Sequence, residues 1–150
     1  MTRLMSAAMA INNSVQSRGA GVLMAQAALQ PLAATGALDV DGNGKYDALT
    51  DGVLTLRWLF GLSGSTLVNN AIGSGAQRSL PADVTAWLEA HRAAFDVDDN
   101  KNSDALTDGL MILRYMFGLR GAALVNGAIG SGANRATSAA IESYMSGLIP

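Results

Sequence analysis

DVDGNGKYDALTDG, residues 39–52, and DVDDNKNSDALTDG, residues 96–109, are the two stretches on which the reading of this chain turns. Each opens on an alternating Asp-x-Asp-x-Asn and closes on Asp-Gly. The likeness extends well past the loops. Segment 39–78 aligns with 96–135 without a gap at an offset of 57 residues, and 26 of the 40 positions are identical. The shared pieces are DVD, DALTDG, the pair LRWLFGL and LRYMFGL, LVN, AIGSGA and a closing arginine, Arg78 or Arg135. The same offset continues weakly in both directions, matching WLEAHR at 87–92 with YMSGLI at 144–149, and Ile11-Asn12-Asn13 with Val68-Asn69-Asn70. The expected organisation is one module over 1–150, with repeat units at 39–95 and 96–150 and a degenerate partial unit at 1–38.

Composition narrows what such a module does. The chain has 150 residues, 49% of them hydrophobic and 15% charged, with a formal net charge of −2. That length supports one real core. The charge is small and no Lys/Arg run is present, so a nucleic-acid partner is not expected. With no cysteine and a single histidine, His91, neither a disulfide framework nor a Cys- or His-based zinc site fits. No apolar run reaches the roughly 18 residues of a membrane span. Arg3, LMSAAMA and Asn12-Asn13 resemble a signal peptide only faintly, and are read as part of the fold.

Periodicity predicts an all-α fold. VLTLRWLFG (53–61) and LMILRYMFG (110–118) carry apolar residues at helical spacing and end at Gly61 and Gly118, suited to C-terminal caps. Pro81 opens an amphipathic helix over 81–94, residues 19–35 read as helix interrupted by Pro31, and 138–148 as a last helix. Trp58, Phe60, Trp87, Tyr115 and Phe117 are expected in the core, and His91 on a solvated face. The AIGSGAQR and AIGSGANR connectors read as turns. Arg78 and Arg135 are expected to bond helix C-terminal carbonyls or nearby acids.

Nine of the 12 acidic residues lie in the two loops. Carboxylates this close repel one another unless something cancels their charge. The spacing indicates what does. Asp39, Asp41 and Asn43 offer oxygens on one side of a tight turn, Gly44 supplies a bend, Lys45 offers its carbonyl, and Asp47 binds directly or through water. The second loop offers Asp96, Asp98, Asn100, the Asn102 carbonyl and Asp104. This all-oxygen set suits calcium better than magnesium, which keeps more water and demands stricter geometry. Twelve-residue calcium loops close on a bidentate acid at position 12, but here that position is Thr50 or Thr107. The acid follows one residue later, so Asp51 and Asp108 are the expected closing ligands. Two calcium sites are expected. The second is expected to be weaker or distorted, because Lys101 stands where Gly44 stands in the first, with Asn102 beside it as the residue tolerant of a left-handed turn.

DVDGNG…D…LRWLFG and DVDDN…D…LRYMFG resemble the calcium-binding repeats of dockerins, EF-hand-like modules of bacterial extracellular proteins. The resemblance covers about 23 residues per unit and implies tandem helix–loop–helix units, two bound calcium ions and an extracellular or cell-surface location. It also implies a protein partner met through the loop-following helices, at Ala48, Leu49 and Arg57 and their equivalents Ala105, Leu106 and Arg114. The offset of 57 residues is longer than the spacing of dockerin repeats. The expected function is therefore a calcium-stabilised, non-catalytic docking or spacer module. A cohesin-binding dockerin proper and a calcium sensor stay open as alternatives. No nucleophile–base constellation suggests an enzyme.

Overall fold

Helix formation here follows the loops: each acidic loop runs directly into the helix its own closing residues start. The computed structural model describes residues 36–150. Among these the protein is all-α, with no strand. The helices are α1 (Val53–Leu59), α2 (Ser65–Val68), α3 (Pro81–Ala90), α4 (Leu110–Met116), α5 (Ala122–Val125) and α6 (Ser138–Ser146). The helix expected over 19–35 and the match at Ile11-Asn12-Asn13 lie outside the described residues.

α1 and α4 end as their glycines predict. Gly61 and Gly118 both have φ +89°, and the next amide in each case reaches five residues back, Leu62 N–H to the Arg57 carbonyl and Leu119 N–H to that of Arg114, both 2.9 Å. This is the Schellman pattern. α3 starts at Pro81 but stops at Ala90, short of the expected Ala94. His91 leaves helical geometry at φ −109°, ψ 15°, and a tight 3₁₀ turn, Arg92–Phe95, swings the chain into the second loop. His91 is half-buried rather than solvated, its ring 4.0 Å from that of Trp87. The short helices α2 and α5 lie in segments read as connectors; four residues are too few to show a periodicity.

The two repeats interlock at glycine. A Cβ on Gly52 would fall 2.9 Å from Leu113 Cδ1 and 3.0 Å from Met116 Sδ; one on Gly109 would fall 2.9 Å from Leu56 Cδ1 and 3.1 Å from Leu59 Cδ1. Each Asp-Gly thus lies against the other repeat's helix, at a distance only glycine tolerates. Leu54, Trp58, Leu67, Val84, Leu88 and Phe95 from the first unit and Met111, Ile112, Leu124, Ile141 and Met145 from the second share one buried cluster. Trp58 meets Phe95 edge-on at 5.9 Å, and its indole N–H donates to Glu89 Oε1 at 3.0 Å. Phe60 and Phe117 depart from expectation. They follow the last helical turn and point outward, 54% and 55% exposed.

Arg57 and Arg114, expected at a partner surface, are used internally. Arg57 Nη1 donates to the Leu67 and Asn69 carbonyls, both at 2.9 Å. Arg114 does the same for Leu124 and Asn126, at 3.0 and 2.9 Å. These bonds satisfy the C-terminal carbonyls of α2 and α5, which helices this short leave without partners. Ala48 and Ala105 are also buried, because each helix opens against the core. Of the expected surface residues, Leu49 and Leu106 are outermost, 68% and 69% exposed.

Candidate metal centre

Each loop is built around its first aspartate. Asp39 Oδ1 accepts the N–H groups of Gly42 and Asn43, both at 3.0 Å, and Oδ2 accepts that of Gly44 at 2.9 Å. These bonds turn the chain tightly, with Gly42 at φ +76° and Gly44 at φ +86°. In the second loop Asp96 accepts from Asn100 N–H at 3.0 Å and Lys101 N–H at 2.9 Å. Asp99 (φ +57°) and Lys101 (φ +76°) take the positions of the two glycines. The left-handed turn therefore falls on Lys101 itself and not on the more tolerant Asn102. Lys101 Nζ forms an ion pair with Asp99, and this hydrogen bond holds the Asp99 carboxyl below its ordinary range. Asn43 and Asn100 hold the turn with their own side chains, each accepting the N–H two residues on at 2.9 Å.

The late closing acid is brought back by the helix start. Residues Ala48–Gly52 and Ala105–Gly109 form single π-helical turns. Gly52 N–H donates to the Asp47 carbonyl and Gly109 N–H to that of Asp104, five residues back and 3.0 Å long in each case. A π turn takes up one residue more than an α turn, and such turns favour functional sites. The insertion that puts Asp51 at position 13 is thereby absorbed. Asp51 Oδ1 accepts from Val40 N–H at 2.7 Å and Asp41 N–H at 3.1 Å, while Oδ2 accepts from Asp47 N–H at 2.9 Å and the Thr50 hydroxyl at 3.3 Å. Asp108 repeats the pattern with Val97, Asp98, Asp104 and Thr107 at 2.6, 3.2, 2.9 and 3.2 Å.

The result is two carboxylate triads, Asp39–Asp41–Asp51 and Asp96–Asp98–Asp108, each with three ligand oxygens lying within 4.8 Å of one another. Asp41, Asp51, Asp98 and Asp108 have no solvent exposure. Burial is the main force raising the carboxyl of Asp51, to about 6, helped by the Asp41 charge and opposed by backbone N–H donors. Burial likewise raises Asp108 and Asp98, with the Asp98 and Asp96 charges respectively adding to it. Of the other expected ligands, Asn43 and Asn100 stand half-buried beside the triads, while Lys45, Asp47, Asn102 and Asp104 have exposed side chains.

An all-oxygen set of this kind fits a hard divalent cation. A further observation supports the fit. Among the described residues, Asp98 Oδ1 is buried without a hydrogen-bond partner. Buried polar atoms are almost always satisfied, and an unsatisfied carboxylate oxygen on a member of the triad is a natural cation ligand.

Sequence reasoning missed the outer wall of each site. Gly73 N–H donates to Asp41 Oδ2 and Gly130 N–H to Asp98 Oδ2, both at 2.6 Å. Arg78 donates to the Val40 and Asp39 carbonyls at 2.8 and 2.7 Å, and Arg135 to those of Val97 and Asp96 at 2.7 and 2.8 Å. The arginines thus bond loop carbonyls, not helix ends. Each guanidinium also stacks on an aromatic ring, Arg78 on Trp87 at 3.6 Å and Arg135 on Tyr144 at 3.8 Å. Those rings reach on to the residue two before each loop: Trp87 Nε1–H donates to the Ala37 carbonyl at 3.3 Å and the Tyr144 hydroxyl to that of Ala94 at 2.9 Å. The signal lay in the repeat itself, which matches AIGSGA and the closing arginine at the same offset as the acids. Comparisons with protein-family models, with curated proteins and with solved structures find no match to this chain.

Proposed function

We propose that the protein is a calcium-binding, calcium-stabilised and non-catalytic module, built on two EF-hand-like loops arranged as tandem helix–loop–helix units. The observation that carries this reading is the pair of carboxylate triads, buried except for the half-buried Asp96, one of which holds the unpartnered Asp98 Oδ1. Three carboxylates clustered this closely oppose folding, and a divalent ion among them reverses the sign of that term. Calcium suits a mixed set of carboxylate, carbonyl and water oxygens more readily than magnesium. The role is stabilisation: the ion binds the folded loops and so adds its binding energy to folding. By its resemblance to dockerin repeats the module belongs to a secreted or cell-surface bacterial protein, as a docking or spacer unit. Free calcium outside cells fills even sites with Kd of about 10⁻⁴–10⁻³ M.

Calorimetric titration of the chelator-treated chain, with melting followed by circular dichroism, tests this. Two bound calcium ions and a large rise in Tm are expected. Absence of binding at millimolar calcium would sink the reading.

A second reading, docking to a cohesin-like partner, is favoured by one observation. Leu49 and Leu106 project from equivalent places beside the two loops, 68% and 69% exposed. Binding to a cohesin panel, lost in the double variant Leu49→Asp and Leu106→Asp, would support it.

A further inference from the structure

The longest unbroken identity between the repeats, joint with ALTDG and its preceding acid, is AIGSGA, at 71–76 and 128–133. These stretches contain no helix and supply no expected ligand. A spacer needs no such match, since loops tolerate change when they only connect. Each stretch instead crosses a metal loop at a glycine. A Cβ on Gly130 would fall 2.4 Å from Asn100 Nδ2 and 2.8 Å from Asp98 Oδ2. No side chain fits between strap and loop.

The Gly130 N–H takes one oxygen of a buried carboxylate, Asp98 Oδ2, at 2.6 Å. The other oxygen, Oδ1, has no partner. Ala128 anchors the strap in the core and Arg135 stacks on Tyr144; the strap's remaining hydrogen bonds to the loop reach four residues, 96–99. Arg135 bonds the carbonyls of Asp96 and Val97 through its side chain and that of Asp98 through its N–H, at 2.9 Å for the last. Asn134 Nδ2 donates to the Asp99 carbonyl at 3.0 Å. The strap's hydrogen bonds therefore fall on the stretch that carries Asp96 and Asp98.

We infer that the strap 128–135 is the outer wall of the second cation site. Gly130 is a positioning residue that holds Asp98 by Oδ2 so that Oδ1 faces the ion, and ion binding and strap closure form one equilibrium. The inference rests on the calcium reading above. Without an ion, the three clustered carboxylates repel and strap release lets water reach the buried Asp98. With an ion, Oδ1 is satisfied and the strap is held. The chain thus has a segment whose accessibility reports calcium.

The test uses the full chain. Amide hydrogen exchange at Gly130, read by NMR with calcium and with chelator, is expected to slow at least about tenfold on calcium binding. Gly130→Ala is expected to weaken calcium at one of the two sites by about 10–100-fold, the range for residues that orient a metal ligand, and to leave the other unchanged. Ser143→Ala, at an exposed position of α6 outside the strap, should bind as the parent does. Two calcium ions bound with unchanged Gly130 exchange would overturn the strap and leave the calcium reading intact. No calcium binding by the parent chain would overturn both. Should Gly130→Ala fail to fold, the exchange measurement on the parent chain decides alone.

Discussion

In the first loop the two left-handed positions are Gly42 and Gly44; in the second they are Asp99 and Lys101. The loops otherwise share their hydrogen bonds almost atom for atom, so the second makes the same turn with residues that resist it. A non-glycine residue in that conformation costs about 1–2 kcal/mol, part of which the Asp99–Lys101 ion pair offsets. From sequence alone, this substitution argues for a weaker second site. The structure adds a second difference. The left-handed turn is held by the Asp96 carboxylate, which accepts from the Asn100 and Lys101 N–H groups, so its strain is a term in folding. The orphaned Asp98 Oδ1 lies in that same loop, where an ion has the most to satisfy. Backbone strain and ligand deficit thus fall together in one repeat, while the other is relaxed.

The largest expected effect bears on both loops. With free calcium about 100-fold above Kd, each site adds about 2.7 kcal/mol, so two sites add about 5. Thermal melting in calcium and in chelator should differ by more than 10 °C, and a two-site titration shows which loop fills first. Filling of the first loop well before the second would break the comparison in favour of the sequence expectation.

Next in size are the closing acids. Asp51→Ala leaves three backbone donors without an acceptor and Asp108→Ala leaves three and the Thr107 hydroxyl, and each should destabilise the protein by about 3–5 kcal/mol in urea unfolding. Equal losses in chelator would support the matched π turns. Unequal losses would mean that the two turns are not equivalent.

The dependence on pH separates the ion-free and ion-bound forms. Burial raises the Asp51 carboxyl to about 6, above its unfolded value. A raised folded value means that the folded state holds the proton more tightly. That stabilisation is complete below about pH 4 and is lost as pH rises through about 6, on the order of 3 kcal/mol. In chelator, then, unfolding measured from pH 4 to 7 should show stability falling with pH, Asp108 contributing in the same direction. Calcium should cancel or reverse the trend, because the ion takes the place of the proton. The smallest effect isolates the strain. Lys101→Gly should stabilise the second repeat by about 1 kcal/mol and barely move its calcium affinity, while Gly44→Lys should cost the first repeat a similar amount.

Much of the site was legible because its chemistry is local. Asp39, Asp41, Asp51 and their equivalents lie within 13 positions of one another in the chain, so their types and spacing already specify an oxygen-rich turn. The helix stops at Gly61 and Gly118 were legible for the same reason. Phe60 and Phe117 were not, since an apolar residue one position past a helix keeps the period while its side chain turns to solvent. Arg57 and Arg114 resemble surface residues in sequence, and only the fold brings the ends of α2 and α5 beneath them.

By itself, the sequence determined that two copies of one unit exist, that they are helical, and that each gathers acids in a turn suited to a hard cation. These follow from residue type and short-range spacing, which act before the chain is folded. Tertiary structure decided the rest. It placed a π turn where Asp51 would otherwise miss the loop by one residue, set Gly52 and Gly109 against the opposite repeat, and laid Gly73 and Gly130 across carboxylates 32 positions away. Such contacts depend on where distant backbone passes, and a glycine that lets backbone through looks in sequence like a glycine that merely bends.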